Sequence, residues 1–314
     1  MDKPMTPRAW VALSLVYVVW GSTYLAIRVV VRTLPPLLSA GSRWVIAGTI
    51  MMAIGRRGLR AGSRPTARHW RNAAIIGTAL LFGGNGLVSV AERRVTSGMA
   101  ALLVATVPLF IALFEWIAFR TRPRPAVVVG ILMGFAGTAV LVRPRTGSGH
   151  VDLTGALVVV AAAATWAAGS LFARKADLPD RPVLATGMQM LCGGAVIFVV
   201  ATIGGEWGRL HPSHVSATSL IGVGYLIVFG SLIGFSSYAW LIRNAKTSIV
   251  ATYAYVNPLV AVFLGALILN EKITATTVAG GSIIVAAVAL IVGSGTRAVH
   301  AGPEFATGPV GSST

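Results

Sequence analysis

The sequence is poor in charge, and poorest in negative charge. Of 314 residues only 11% are charged, with 9 Asp and Glu against 26 Lys and Arg. A soluble domain carries roughly 25% charged residues, so a water-solvated globule is excluded as the main body of the chain. Cysteine is almost missing too: Cys192 stands alone, which rules out an intrachain disulfide and a paired-thiol metal site. It lies in an apolar run and reads as a small buried hydrophobe. His69, His150, His211, His214 and His300 fall between or beyond the apolar runs. The His211 and His214 pair has no acidic or thiol set beside it, so no metal is expected. There is no Walker loop, no HExxH and no Ser with a His or Asp partner inside an apolar run. An ATP-driven pump or a membrane protease therefore lacks its parts, and neither an enzyme nor a cofactor is expected.

What the sequence has is long apolar runs. Hydrophobic residues make up 55%, and a helix needs about 20 mostly apolar residues to cross a bilayer. Runs bounded by charge, Pro and Gly predict ten spans. The first five are Ala9–Val31, Leu37–Ile54, Asn72–Val90, Ser97–Phe119 and Ala126–Val142. The second five are Leu153–Phe172, Val183–Ile203, Val215–Trp240, Ser248–Leu269 and Ile273–Val292. The first is too long for a signal peptide and is read as a retained helix. The tail, 296–314, is rich in Gly, Pro, Ser and Thr and is expected to be a disordered cytoplasmic segment. The loops are short, so whatever the protein does, it does within the bilayer, its expected environment.

The net charge of +17 comes from short basic clusters between the runs, not from a basic domain, so nucleic acid is not expected as a partner. The clusters instead set topology. With the N-terminus inside, 17 of the 26 Lys and Arg fall in cytoplasmic segments and 7 in the opposite ones. Positive loops stay cytoplasmic, so both termini are expected on the cytoplasmic side of the plasma membrane.

The halves repeat weakly at a separation of 150 residues: Gly84 with Gly234, Arg93 with Arg243, Pro108 with Pro258, Leu109 with Leu259, and Gly130 with Gly280. Trp20 with Trp166 matches at a different offset. Five spans per half is odd, so the second half enters the membrane from the opposite side. The expected fold is thus all-α, ten transmembrane helices in two inverted five-helix repeats, 1–145 and 146–295. Such repeats are the architecture of secondary transporters, which alternate access to a midplane site.

Several residues inside the spans are candidates for that site. Pro108 and Pro258 each remove a helix hydrogen bond mid-membrane and are expected to be hinges; the alternative is a packing kink. Asn85, in the Gly83-Gly84-Asn85-Gly86 segment, is either a cavity-lining amide or an interhelical tie. Arg43 is costly inside a span and awaits an anionic substrate group or a protein carboxylate. Trp20, Ser22, Tyr24, Trp166, Tyr253 and Asn257 complete the expected substrate cavity, combining ring faces with a few hydrogen-bonding groups. Glu92 and Glu115 are the acidic candidates for proton coupling, although Glu115 fits a surface salt bridge to Arg120 or Arg122 more simply. Gly130, Gly134 and Gly137 could serve a homodimer interface or packing within the chain.

Three segments carry a family resemblance: Trp20-Gly-Ser-Thr-Tyr-Leu-Ala-Ile-Arg28, Gly84-Asn-Gly-Leu-Val-Ser-Val-Ala-Glu92, and Ser97 through Pro108-Leu-Phe. Over residues 9 to 293 the chain resembles the ten-helix EamA-type exporters of the drug/metabolite transporter superfamily, most of all the YedA-type branch. Leu264 through Asn270-Glu271 is similar to a further family pattern, and Thr121 holds the equivalent place in the first half. The resemblance implies two inverted repeats around a central cavity and efflux of amino acids, related metabolites or toxic small molecules.

Overall fold

A computed structural model describes residues 6–57, 64–120, 123–142, 152–245, 247–250 and 252–296. The expected tail, Arg122 and the junction of the two repeats near 145 lie outside the described residues. Every regular element described is helical. Among the described residues nine helices are long and apolar enough to cross a membrane, and a tenth is slightly shorter. In chain order they are α1 Pro7–Val30, α2 Pro36–Arg56, α3 Ala67–Ala91, α4 Ser97–Ala118 and α5 Pro125–Val142. Then come α6 Leu153–Ala173, α7 Pro182–Ile203, α8 Ala217–Tyr238, α9 Tyr253–Leu269 and α10 Ala275–Ser294. The face from which α1 departs is called near, the opposite face far.

The departures from the predicted spans have local causes. Helix α3 starts five residues early because Thr66 and His69 close a capping box, each side chain bonded to the other's backbone N–H. The α4 span is two helices, Ser97–Val104 and Val107–Phe119, because Pro108 sits in the first turn of the second, where its missing N–H costs nothing. The predicted ninth span likewise divides into Thr247–Val250 and Tyr253–Leu269.

The halves are equivalent in three dimensions as well as in sequence. Both third helices widen into π-helical segments, Thr78–Gly86 in α3 and Leu226–Ile233 in α8. Their fourth helices both end on a left-handed residue, Arg120 (φ 49°) and Asn270 (φ 54°). Packing follows the same rule: α2 lies on α7 and α5 on α10, while α1 pairs with α9 as α6 pairs with α4. Glycine allows the close pairs. A Cβ on Gly137 would sit 3.0 Å from the Gly280 carbonyl oxygen, and one on Gly55 2.7 Å from Leu184 Cα. The glycines of α5 are thus occupied within the chain: Gly130 and Gly137 face α10, and Gly134 faces Leu109.

Far-face carboxylates finish three helices. Glu206 Oε2 accepts from the Leu37 and Leu38 N–H groups at 2.9 Å each, at the start of α2. Asp152 Oδ1 accepts from Gly155 N–H at 2.7 Å at the start of α6, while Oδ2 meets Arg94 at 3.0 Å. The Gly155 N–H, and then Arg94, hold the Asp152 carboxyl below its ordinary range. Glu271 does the same for α4: Oε1 accepts from Ser97 N–H at 2.9 Å, and Oε2 from Ser97 Oγ at 3.0 Å and Gly98 N–H at 3.1 Å. A negative group at each N-terminus opposes the helix dipole and satisfies orphan donors.

Candidate functional site

A cavity of about 170 Å³ lies among helices of both halves. Pockets that hold drug-sized ligands run to roughly 300–1,000 Å³, so this one suits a small solute. Seven of the eight predicted cavity residues line it: Trp20, Tyr24, Arg43, Asn85, Trp166, Tyr253 and Asn257, together with Pro108 and Pro258. The exception is Ser22. Its hydroxyl bonds to the Val19 carbonyl at 3.0 Å and to Tyr225 Oη at 2.6 Å, so it faces α8 and ties two helices together.

The π-helical segments explain how the cavity walls are held. Each places one glycine against the indole of the other half, Gly84 within the first segment and Gly234 directly after the second. A Cβ on Gly84 would stand 2.5 Å from Trp166 Cε3, and one on Gly234 2.4 Å from Trp20 Nε1. The two repeat pairs seen in sequence, Gly84 with Gly234 and Trp20 with Trp166, are therefore one contact made twice. Trp20 is fixed further by an Nε1–H bond to the Gly230 carbonyl at 3.3 Å and by edge contacts with Phe235 and Tyr253, centroids 5.3 and 5.4 Å away.

Arg43 is 3% exposed. Its Nε donates to Ser231 Oγ at 2.9 Å, its Nη1 to Asn85 Oδ1 at 3.4 Å, and the guanidinium lies 4.2 Å over the Trp44 ring. No carboxylate among the described residues pairs with it. Asn85 thus does both expected things at once, facing the cavity and tying α3 to α2. Asn257 is 7% exposed, and its Oδ1 has no hydrogen-bond partner among the described residues.

The acidic candidates lie elsewhere. Glu92 is fully buried just past the far end of α3; its carboxylate oxygens have no hydrogen-bond partner among the described residues, while Arg28 donates to its backbone carbonyl. It is not among the cavity-lining residues. Glu115 is partly exposed and paired with Arg174, so its partner comes from α6's end and not from Arg120. Sequence reasoning missed Trp44, Thr23 and Phe235 in the lining. For Trp44 a signal was present, since it adjoins Arg43 and an indole beside a buried guanidinium is a natural cation–π partner. Phe235 carried none.

Toward the far face the first half of α4 packs on α1 and α9, and Glu271 bridges α9 to α4. Toward the near face the second half of α4 packs on α6 instead, through Phe110, Ala163 and Ala167. A separate near-face cleft follows, lined by Arg68, Arg71, Phe114, Leu171, Lys175 and Asp177.

Two equivalent halves of apolar helices, with broken helices meeting at an internal cavity, are an architecture found among membrane transporters. The comparisons with known proteins name the family. The model of the EamA-like transporter family matches residues 8–143 and 153–293, and the chain belongs to that family. It is 39% identical over 281 residues to the uncharacterized inner membrane transporter YedA of Escherichia coli K12, covering 89% of each chain. It is 25% identical over 293 residues to a probable amino-acid metabolite efflux pump of the same organism, covering 89% of this chain and 93% of the other. A crystal structure of a 22% identical protein shares the fold, with a TM-score of 0.61 over 94% of this chain and 100% of that one. The protein is a multi-pass membrane transporter.

Proposed function

We propose that the protein exports small metabolites, amino acids or related compounds and drugs of similar size, across the cytoplasmic membrane by alternating access. Both termini lie in the cytoplasm on this reading. The observation that carries it is a cavity lined by residues of both halves, beside which α1, α4 and α9 meet on the far face. Exchange of the two repeats' conformations then opens the far side and closes the near one. Trp20, Tyr24, Arg43, Asn85, Trp166, Tyr253 and Asn257 hold the solute, and Pro108 and Pro258 are the places where α4 and α9 bend.

A second reading, an uncoupled facilitator, is favoured by the absence of any carboxylate among the described lining residues. Glu92 is the remaining candidate for proton coupling, because Glu115 is already paired at the surface. Counterflow in liposomes across a panel of labelled amino acids, with and without a pH gradient, tests the proposal. Saturable exchange supports a carrier, and stimulation by the gradient separates antiport from facilitation. Absence of saturable exchange for the whole panel would overturn the carrier reading.

A further inference from the structure

The cavity's electrostatics narrow its solute. Among the described residues that line it there is one formal charge, the Arg43 guanidinium, and no carboxylate. Arg43 is 97% buried by its 3% exposure, and its described partners are a hydroxyl, an amide oxygen and a ring face. These dipoles orient the guanidinium without neutralising it. Intramembrane charges are ordinarily paired with one another or face a wet interior that carries an ion or substrate. Arg43 has the second arrangement, with a planar fork suited to a carboxylate. The near-face cleft has the same sign of charge. Arg68, Arg71 and Lys175 line it with a single carboxylate, Asp177, which is itself engaged by Arg68 at 3.4 Å and His69 at 3.3 Å. A cleft of one sign draws in solutes of the other.

Resting on the transport reading, we propose that the substrate is recognised by a carboxylate bound to Arg43, with an apolar body against Trp20, Trp44 and Trp166, and that organic cations are rejected. The ammonium of an amino acid is tolerated, not required. It would find only neutral acceptors, such as the orphan Asn257 Oδ1. An organic amine without a carboxylate would place its charge beside Arg43 with nothing to offset the repulsion.

The test uses the purified full chain and three probes of one ring size: 3-phenylpropionate, phenylalanine and phenethylamine. Binding is read from intrinsic tryptophan fluorescence, since three indoles line the cavity, and flux from counterflow in liposomes. The two carboxylates should bind and phenethylamine should not. Arg43→Gln should weaken carboxylate binding about tenfold or more, as expected for loss of a charged hydrogen-bond partner, and Arg43→Lys less. Binding of phenethylamine as tight as that of the acids overturns the inference even if Arg43→Gln does not fold, because the wild-type protein decides it. Unchanged acid binding in a folded Arg43→Gln, or no binding of either acid, also overturns it. Acid binding without flux leaves the inference standing and removes the transport reading; flux of other solutes without acid binding does the reverse.

Discussion

Gly84→Ala is the sharpest perturbation of the cavity, because the structure fixes both its size and its control. The new Cβ would lie 2.5 Å from Trp166 Cε3 and 3.4 Å from Cδ2 and Cζ3. Carbon atoms rest at about 3.5–4.0 Å, so the indole must retreat by about 1 Å, and its free side is the cavity. Overpacking of this kind costs about 1–3 kcal/mol. Alanine also gains about 1 kcal/mol of helix propensity over glycine, which would mask part of the loss. Gly86 supplies the correction: it lies in the same π-helical segment, yet its Cβ would meet nothing closer than the Leu81 carbonyl oxygen at 3.3 Å. The difference between Gly84→Ala and Gly86→Ala therefore isolates the clash. Unfolding of both variants in mixed micelles should separate them by about 1–3 kcal/mol, and Gly84→Ala alone should shift the tryptophan emission and impair transport. Equal stability and equal transport in the two variants would refute the Trp166 packing.

Other consequences are equally direct. Glu271→Gln keeps one acceptor for the start of α4 but removes the charge and the second acceptor. The far-face packing should loosen by about 1–2 kcal/mol, seen as faster labelling of a cysteine placed at Ala101 in a Cys192→Ala background; an unchanged rate would exclude the Glu271 bridge as a latch. Pro258→Ala should restore a hydrogen bond inside α9 and slow turnover more than it changes affinity, measured as the maximal exchange rate and the half-saturation concentration determined separately. Glu115→Gln should leave transport and its pH profile unchanged, because its partner is an exposed arginine outside the cavity. Asp152 has a depressed carboxyl, so its cap is complete above the ordinary carboxylate range near about 3.9 and is lost as pH falls through the lower folded value. The protection of the Gly155 amide from hydrogen exchange, taken relative to its intrinsic rate at each pH, should fall on that acidification, and Asp152→Asn should abolish the fall.

Much of this was legible in the chain itself. Ten apolar runs are imposed by hydrocarbon, which leaves a backbone no alternative to the helix. Pro108 with Pro258 and Gly84 with Gly234 exposed the repeat because close approach and chain breaks depend on a single residue type. The aromatic and amide candidates also converged on one cavity, since polar groups in a membrane span have few other places to be. Three-dimensional structure alone decided the rest. Ser22 and Tyr24 are two residues apart, a spacing that puts them on different faces of α1, and only the position of Tyr225 assigned Ser22 to a neighbouring helix. Glu271 reads in sequence as a loop acid, but the left-handed turn at Asn270 aims it at the N-terminus of a helix 174 residues away in the chain. The same holds for Arg43. Its cost in a bilayer is a property of the residue, whereas the lack of a carboxylate partner among the described residues depends on which side chains the neighbouring helices bring around it.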